Sequence, residues 1–197
     1  MSNDYETRLA MPLSVTKVLE PGAPPICFTK RDSGFLEVTL RWSAPIDIDL
    51  ATMYEDDEGK KDVVQALGTD PGRFGRFGKS PYIKLDRDDR SGGQEIVTIN
   101  LARANQLRRF LVFAYVWDGT MRDVRDATVT VKHPDDGEHV IHLGHGSGMS
   151  CVLARFETLP NGDTRFYRDG TFFNGTHIEI DRAYNWNIRW NAPQRKS

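Results

Sequence analysis

Residues 35–42 read FLEVTLRW: Leu36, Val38, Leu40 and Trp42 alternate with Glu37, Thr39 and Arg41. A period of two places alternate side chains on one face and predicts a half-buried strand. The run IDIDLATMY (46–54) alternates too, with Ile46, Ile48 and Leu50 on one face and Asp47 and Asp49 on the other. RRFLVFAYVW (108–117) is apolar almost throughout, which predicts a central strand covered on both sides. RDATVTVKH, EHVIHL and MSCVLARFET predict further strands, and TRFYRDGTFF with THIEIDRAY predicts a terminal pair. Turn residues punctuate these runs at RDSG (31–34), DEGK (57–60), HPDDG (133–137) and PNGD (160–163). LARANQL (101–107) is the one helical candidate. The pattern predicts an all-β fold, a two-sheet β-sandwich of roughly nine to ten strands with one short helical segment.

Composition narrows the classes. The 197 residues suffice for one sizeable core, with 39% hydrophobic and 27% charged positions. Net charge is −2, so no basic field favours nucleic acid. No run approaches the ~20 apolar residues of a membrane span, and the first residues lack the basic start and apolar stretch of a secretory signal. Cys27 and Cys151 are the two cysteines, too few for a disulfide framework, and both are expected to be reduced in a cytoplasmic location. EPGAPP (20–25) divides the chain into an N-terminal extension at 1–25, a sandwich domain at 26–190 and a polar tail at 191–197.

One loop concentrates charge. Residues 85–95 read LDRDDRSGGQE, between two predicted strands. Two carboxylates ~5 Å apart at an effective dielectric of ~20 repel by about 3 kcal/mol. Solvent, Arg87 and Arg90, or a metal must offset this. Calcium suits the donors, because it takes about 6–8 hard oxygens from carboxylates, carbonyls and water. Asp86, Asp88, Asp89 and Glu95 supply carboxylates, and Ser91 a hydroxyl or carbonyl. Gly93 lets the backbone turn tightly. Asp47 and Asp49, two apart on a strand, face one side and can join them. The expected cofactor is one or two Ca2+ ions. The spacing is not that of an EF-hand, since Arg90 and Val97 occupy positions that would need ligands.

The stretches LRWSAPIDIDLATMYEDDEGK and SPYIKLDRDDRSGGQEIVTINLARANQLRRFLVFAYVW resemble the TerD-type family of tellurium-resistance and stress proteins, closest to its TerA-like branch. A tryptophan-bearing strand leads to a D-L-D segment, and a strand end of the form L-D-x-D leads to a Gly/Asp loop closed by an acid. MSCVLARFET is similar to a later strand of the family. The resemblance covers about residues 35–158. It implies a cytoplasmic calcium-binding β-sandwich that is not an enzyme and serves resistance to tellurite and other chemical stress. It also implies partners among other Ter-type stress proteins, a homo-oligomer, and peripheral association with a membrane. By this resemblance Asp47 and Asp49 match the D-L-D aspartates, and Asp86, Asp88, Asp89 and Glu95 match the acidic loop. The loop here is more compact than in TerD and carries two arginines.

Other readings compete. A sandwich with an acidic loop can use Ca2+ to bridge an anionic lipid or a carbohydrate. HVIHLGHGSGMSC (139–151) carries His142, His145, Ser147 and Cys151, the residue types of a hydrolase, although a strand, a Gly-rich turn and a strand is the simpler reading. GTDPGRFGRFGK (68–79) interleaves arginines with Phe74 and Phe77, and the simplest expectation is that the phenylalanines pack on the sandwich. Trp186, Ile188 and Trp190 alternate in a strand edge or a packed tail.

Overall fold

The computed structural model describes residues 16–190 other than 21, 44, 69, 71, 91, 92, 125, 144 and 145. The alternating runs form twelve strands, more than the nine or ten expected. They are β1 (Thr16–Val18), β2 (Ile26–Phe28), β3 (Phe35–Arg41), β4 (Ile48–Asp56), β5 (Lys61–Val64) and β6 (Ile83–Leu85). After them come β7 (Gln94–Asn100), β8 (Leu107–Val116), β9 (Thr128–His133), β10 (Gly137–His142), β11 (Ser150–Thr158) and β12 (Thr164–Phe173). The additions are β1, β2 and β5, strands of three or four residues too short to display a period, while one expected strand, at THIEIDRAY, does not form. β1 falls in the stretch read as an extension and pairs in parallel with β10. Residues 1–15 and the 191–197 tail lie outside the described residues.

Two six-stranded sheets result, one ordered β1-β10-β9-β3-β7-β6 and the other β2-β12-β11-β8-β4-β5. Leu36, Val38 and Leu40 of β3 face Ile48, Leu50, Phe110 and Val112 of the second sheet in one core. β8 is central as expected, hydrogen-bonded to β4 and β11. Its other face, Leu111, Phe113 and Tyr115, is buried in a second apolar cluster with Ile180 and Trp186.

That second layer corrects the expected terminal pair. THIEIDRAY forms an α-helix, α1 (His177–Ala183), and β12 pairs instead with β11 and β2. His177, Ile180 and Asp181 are buried at helical spacing, while Ile178 is 49% exposed. The Asp181 carboxylate then turns the chain back by accepting the N–H groups of Asn187 (2.6 Å) and Ile188 (3.1 Å) and the Trp190 indole. Trp186 becomes a packed tail residue, 2% exposed, with the Arg109 guanidinium 4.1 Å above its ring. The helical candidate at 101–107 is a 3-10 turn, Leu101–Gln106, capped by the Asn100 side chain accepting from Ala102 N–H.

Candidate metal centre

β5 covers only Thr52–Glu55 of β4, so the start of β4 has no sheet neighbour on that side. The loop between β6 and β7 lies against it. Two hydrogen bonds fix this contact, both to Glu95. The Leu50 N–H donates to Glu95 Oε2 at 2.6 Å, and the Asp89 N–H donates to Oε1 at 3.0 Å. Glu95 shares its parity with Val97 and Ile99, so it points into the sandwich and is fully buried. Burial pushes its carboxyl up to about 8. The two N–H bonds oppose that rise, and the charges of Asp49 and Asp88 add to it.

Above Glu95, Asp47, Asp49 and Asp88 bring ligand oxygens within 4.8 Å of one another. Asp47 is held at the end of a turn whose Ile46 carbonyl accepts the Trp42 indole N–H at 2.9 Å. Asp49 stands opposite Tyr115 in the β4–β8 register and is fully buried, on the same face of β4 as Ala51 and Met53, which enter the outer apolar cluster. Burial raises the Tyr115 phenol well above its usual value, and the Asp49 charge raises it further. Asp88 is half-buried and accepts from Arg90 Nε (3.1 Å) and Nη2 (3.0 Å). The Asp88 hydrogen bond and charge, with the fields of Asp47 and Asp49, raise the Arg90 pKa. Arg90 is thus a resident counter-charge at the edge of the cluster.

The remaining expected ligands are placed differently. Asp86 is exposed and continues the β6–β7 ladder: its Oδ1 accepts from Ile96 N–H and from Arg87 N–H, both at 2.8 Å. Its Oδ2 accepts from Arg87 Nε at 2.9 Å. It is not among the three acids that cluster. The Asp89 side chain lies against Gly93, where a Cβ would come within 2.4 Å of Oδ2, so the glycine is needed for this approach. The Gly93 carbonyl accepts the Trp42 N–H at 3.2 Å and so extends the β3–β7 ladder. Ser91 lies outside the described residues. The Arg90–Asp88 pair is the arginine offset expected for this loop, whereas Tyr115 is a feature the sequence did not single out; the strand parity of residue 115 against residue 49 becomes readable only once the register is known.

The hydrolase reading loses Cys151 as its nucleophile, while Ser147 is exposed. Cys151 is fully buried and its thiol is pushed up to about 12 by burial, which removes the reactive thiolate. His142 is exposed, and His145 lies outside the described residues. Phe74 packs against the main core and Phe77 against Phe35, with ring centroids 5.0 Å apart.

Tellurium resistance protein TerA of an Alcaligenes species is 30% identical to this chain over 202 residues. The alignment covers 90% of the chain, and the chain spans 58% of that relative's length. No protein-family profile matches the chain, and no solved structure matches it.

Proposed function

Because its similarity to TerA supports a Ter-type family member, we propose that this chain is a non-enzymatic tellurium-resistance and stress protein that binds Ca2+ and acts by assembly with partner proteins in the cytoplasm. The observation that carries the reading is the convergence of Asp47, Asp49 and Asp88 within 4.8 Å over a buried Glu95. The donor set fits a hard cation. It is all carboxylate oxygen, with no histidine or thiolate in the cluster. The half-buried Asp47 and Asp88 leave room for water to complete the shell. An ion there would offset the mutual repulsion of the acids and bind the acidic loop to the start of β4. The binding free energy would add to folding stability, since only the folded chain assembles these groups.

An indirect route to resistance is favoured by the cysteines. Cys151 is buried with a raised pKa, leaving Cys27 as the one exposed thiol. Reductive chemistry on tellurite by a thiol pair has no such pair here.

The test is calorimetric titration of Ca2+ into chelator-stripped protein. A saturable signal is expected, abolished by Asp49→Asn with Asp88→Asn. It should survive Asp86→Asn, whose carboxylate serves the backbone ladder. A flat trace for the unaltered protein, or loss of the signal with Asp86→Asn alone, would remove the reading.

A further inference from the structure

A groove of about 740 Å3 runs along the β5 edge, between residues 72–81 and the returning C-terminal segment. This volume is within the range of small-molecule sites. It is distinct from the acidic cluster, none of whose three carboxylates lines it.

Its lining departs from the rest of the surface in two ways. First, the charge is inverted. Lys60, Arg73, Arg76 and Arg189 outnumber Asp62 and Asp70, in a chain of net charge −2. Both acids are engaged by the local backbone: Asp62 accepts from Val63 N–H at 2.9 Å, and Asp70 from Gly72 N–H at 2.7 Å. Arg73 is spent on the carbonyls of Ala66 and Asp70. Among the described residues, Arg76 and Arg189 are exposed and make no side-chain hydrogen bond or ion pair. Second, apolar surface is concentrated here. Trp117 (43%) and Ile178 (49%) are two of the four exposed large hydrophobics among the described residues, and both line this groove.

The inner wall is uncharged. His177 lines the groove and is 6% exposed, with its ring edge-on to Phe113, Tyr115 and Trp190. Its Nε2 is buried with no hydrogen-bond partner. Burial pushes its pKa down to about 4, so the imidazole is neutral at pH 7.

Guanidinium groups that make no side-chain hydrogen bond or ion pair, in a groove that also exposes tryptophan and isoleucine, suit a ligand with an anionic head and an apolar body. We propose that this groove binds a small anionic amphiphile, its carboxylate or phosphate on Arg76 and Arg189 and its apolar part against Trp117, Ile178 and Trp190. The site depends on neither the cation nor the acidic cluster.

The experiment titrates dodecyl phosphate, below its micelle concentration, into the full chain and follows tryptophan fluorescence and heat. Laurate is run alongside to tell a phosphate from a carboxylate head, and dodecyltrimethylammonium provides the same tail with a cationic head. Saturable binding of at least one anion is expected, about tenfold or more tighter than the cation. Arg76→Glu with Arg189→Glu should weaken it by a further factor of about ten or more. Both side chains are exposed, and an unchanged melting temperature checks that the variant folds. Affinity should be the same in chelator and in calcium, so the outcome does not follow that of the metal site. Equal binding of both head charges, indifference to the arginine variant, or no saturable binding would overturn the proposal.

Discussion

Replacing Asp49 with asparagine should change the sign of its effect on stability with the calcium supply. The side chain is fully buried, and its oxygens lie within 4.8 Å of those of Asp47 and Asp88. At that distance and an effective dielectric of ~20, each carboxylate pair repels by about 3.5 kcal/mol. Asparagine removes two of the three repulsions and keeps the shape. The full gain will not appear. The Asp88 side chain is 16% exposed, and its ion pair with Arg90 screens it further. A net gain on the order of 1–3 kcal/mol remains, equivalent to a rise of roughly 2–12 °C in melting temperature for a chain of this length.

In chelator, therefore, Asp49→Asn should melt above the unaltered protein. In calcium the order should reverse. A ligand at one hundred times its Kd stabilises the folded state by about 2.7 kcal/mol, and the variant lacks the carboxylate that helps to hold it. Thermal melts of both proteins in both buffers read the crossover directly. If the variant is less stable than the unaltered protein by the same amount in both buffers, Asp49 is a structural acceptor and the repulsion argument is wrong. If neither protein responds to calcium, the cluster holds no ion.

The sandwich was legible wherever a strand was long enough to show its period. β3, β7 and β8 have seven to ten residues, and their parity places Leu40, Val97 and Val112 in the core. The same parity already put Glu95 inside, on the face of Val97 and Ile99; reading it only as the acid that closes a loop overlooked this. THIEIDRAY misled because Ile178 and Ile180 satisfy a period of two, while His177, Ile180 and Asp181 satisfy a helical one. Seven residues cannot separate the two patterns. What decides is tertiary: Ile180 meets Phe113 and Tyr115 in the outer cluster, and Asp181 gathers the N–H groups of the tail. The same unseen cover changed the site. Alternation set Asp49 on the polar face of its strand, but that face carries a second layer, so the acid is buried. Asp86 and Asp88, two apart, were expected to act together. Asp86 still belongs to the β6–β7 ladder through Ile96, whereas Asp88 lies beyond its end, where the loop turns toward β4.

Two further predictions concern charges that the fold holds in place. Arg90 competes with any cation for Asp88, so Arg90→Gln should tighten Ca2+ binding by about two- to fivefold, the scale of a surface ion pair; calorimetry that finds unchanged or weaker binding would show that the arginine is no competitor. His177 sets a pH window that is independent of the metal. Its pKa falls from the usual 6.5 to about 4 on folding, because burial disfavours the imidazolium. Between these values the unfolded chain binds the proton and the folded chain does not, so stability is fully present above pH 6.5 and is lost as pH falls toward 4. At ~1.4 kcal/mol per pH unit the ceiling is on the order of 3 kcal/mol. His177→Phe keeps the aromatic contacts with Phe113, Tyr115 and Trp190 and removes the titration. Carboxylates also titrate in this range, so the quantity to measure is the difference in urea-unfolding free energy between the two proteins from pH 4 to 7.5. The phenylalanine protein should gain on the unaltered one steadily as pH drops below 6.5. A difference that stays constant across the window would mean that His177 protonates in the folded chain as readily as in the unfolded one, and that the second layer leaves it open to water.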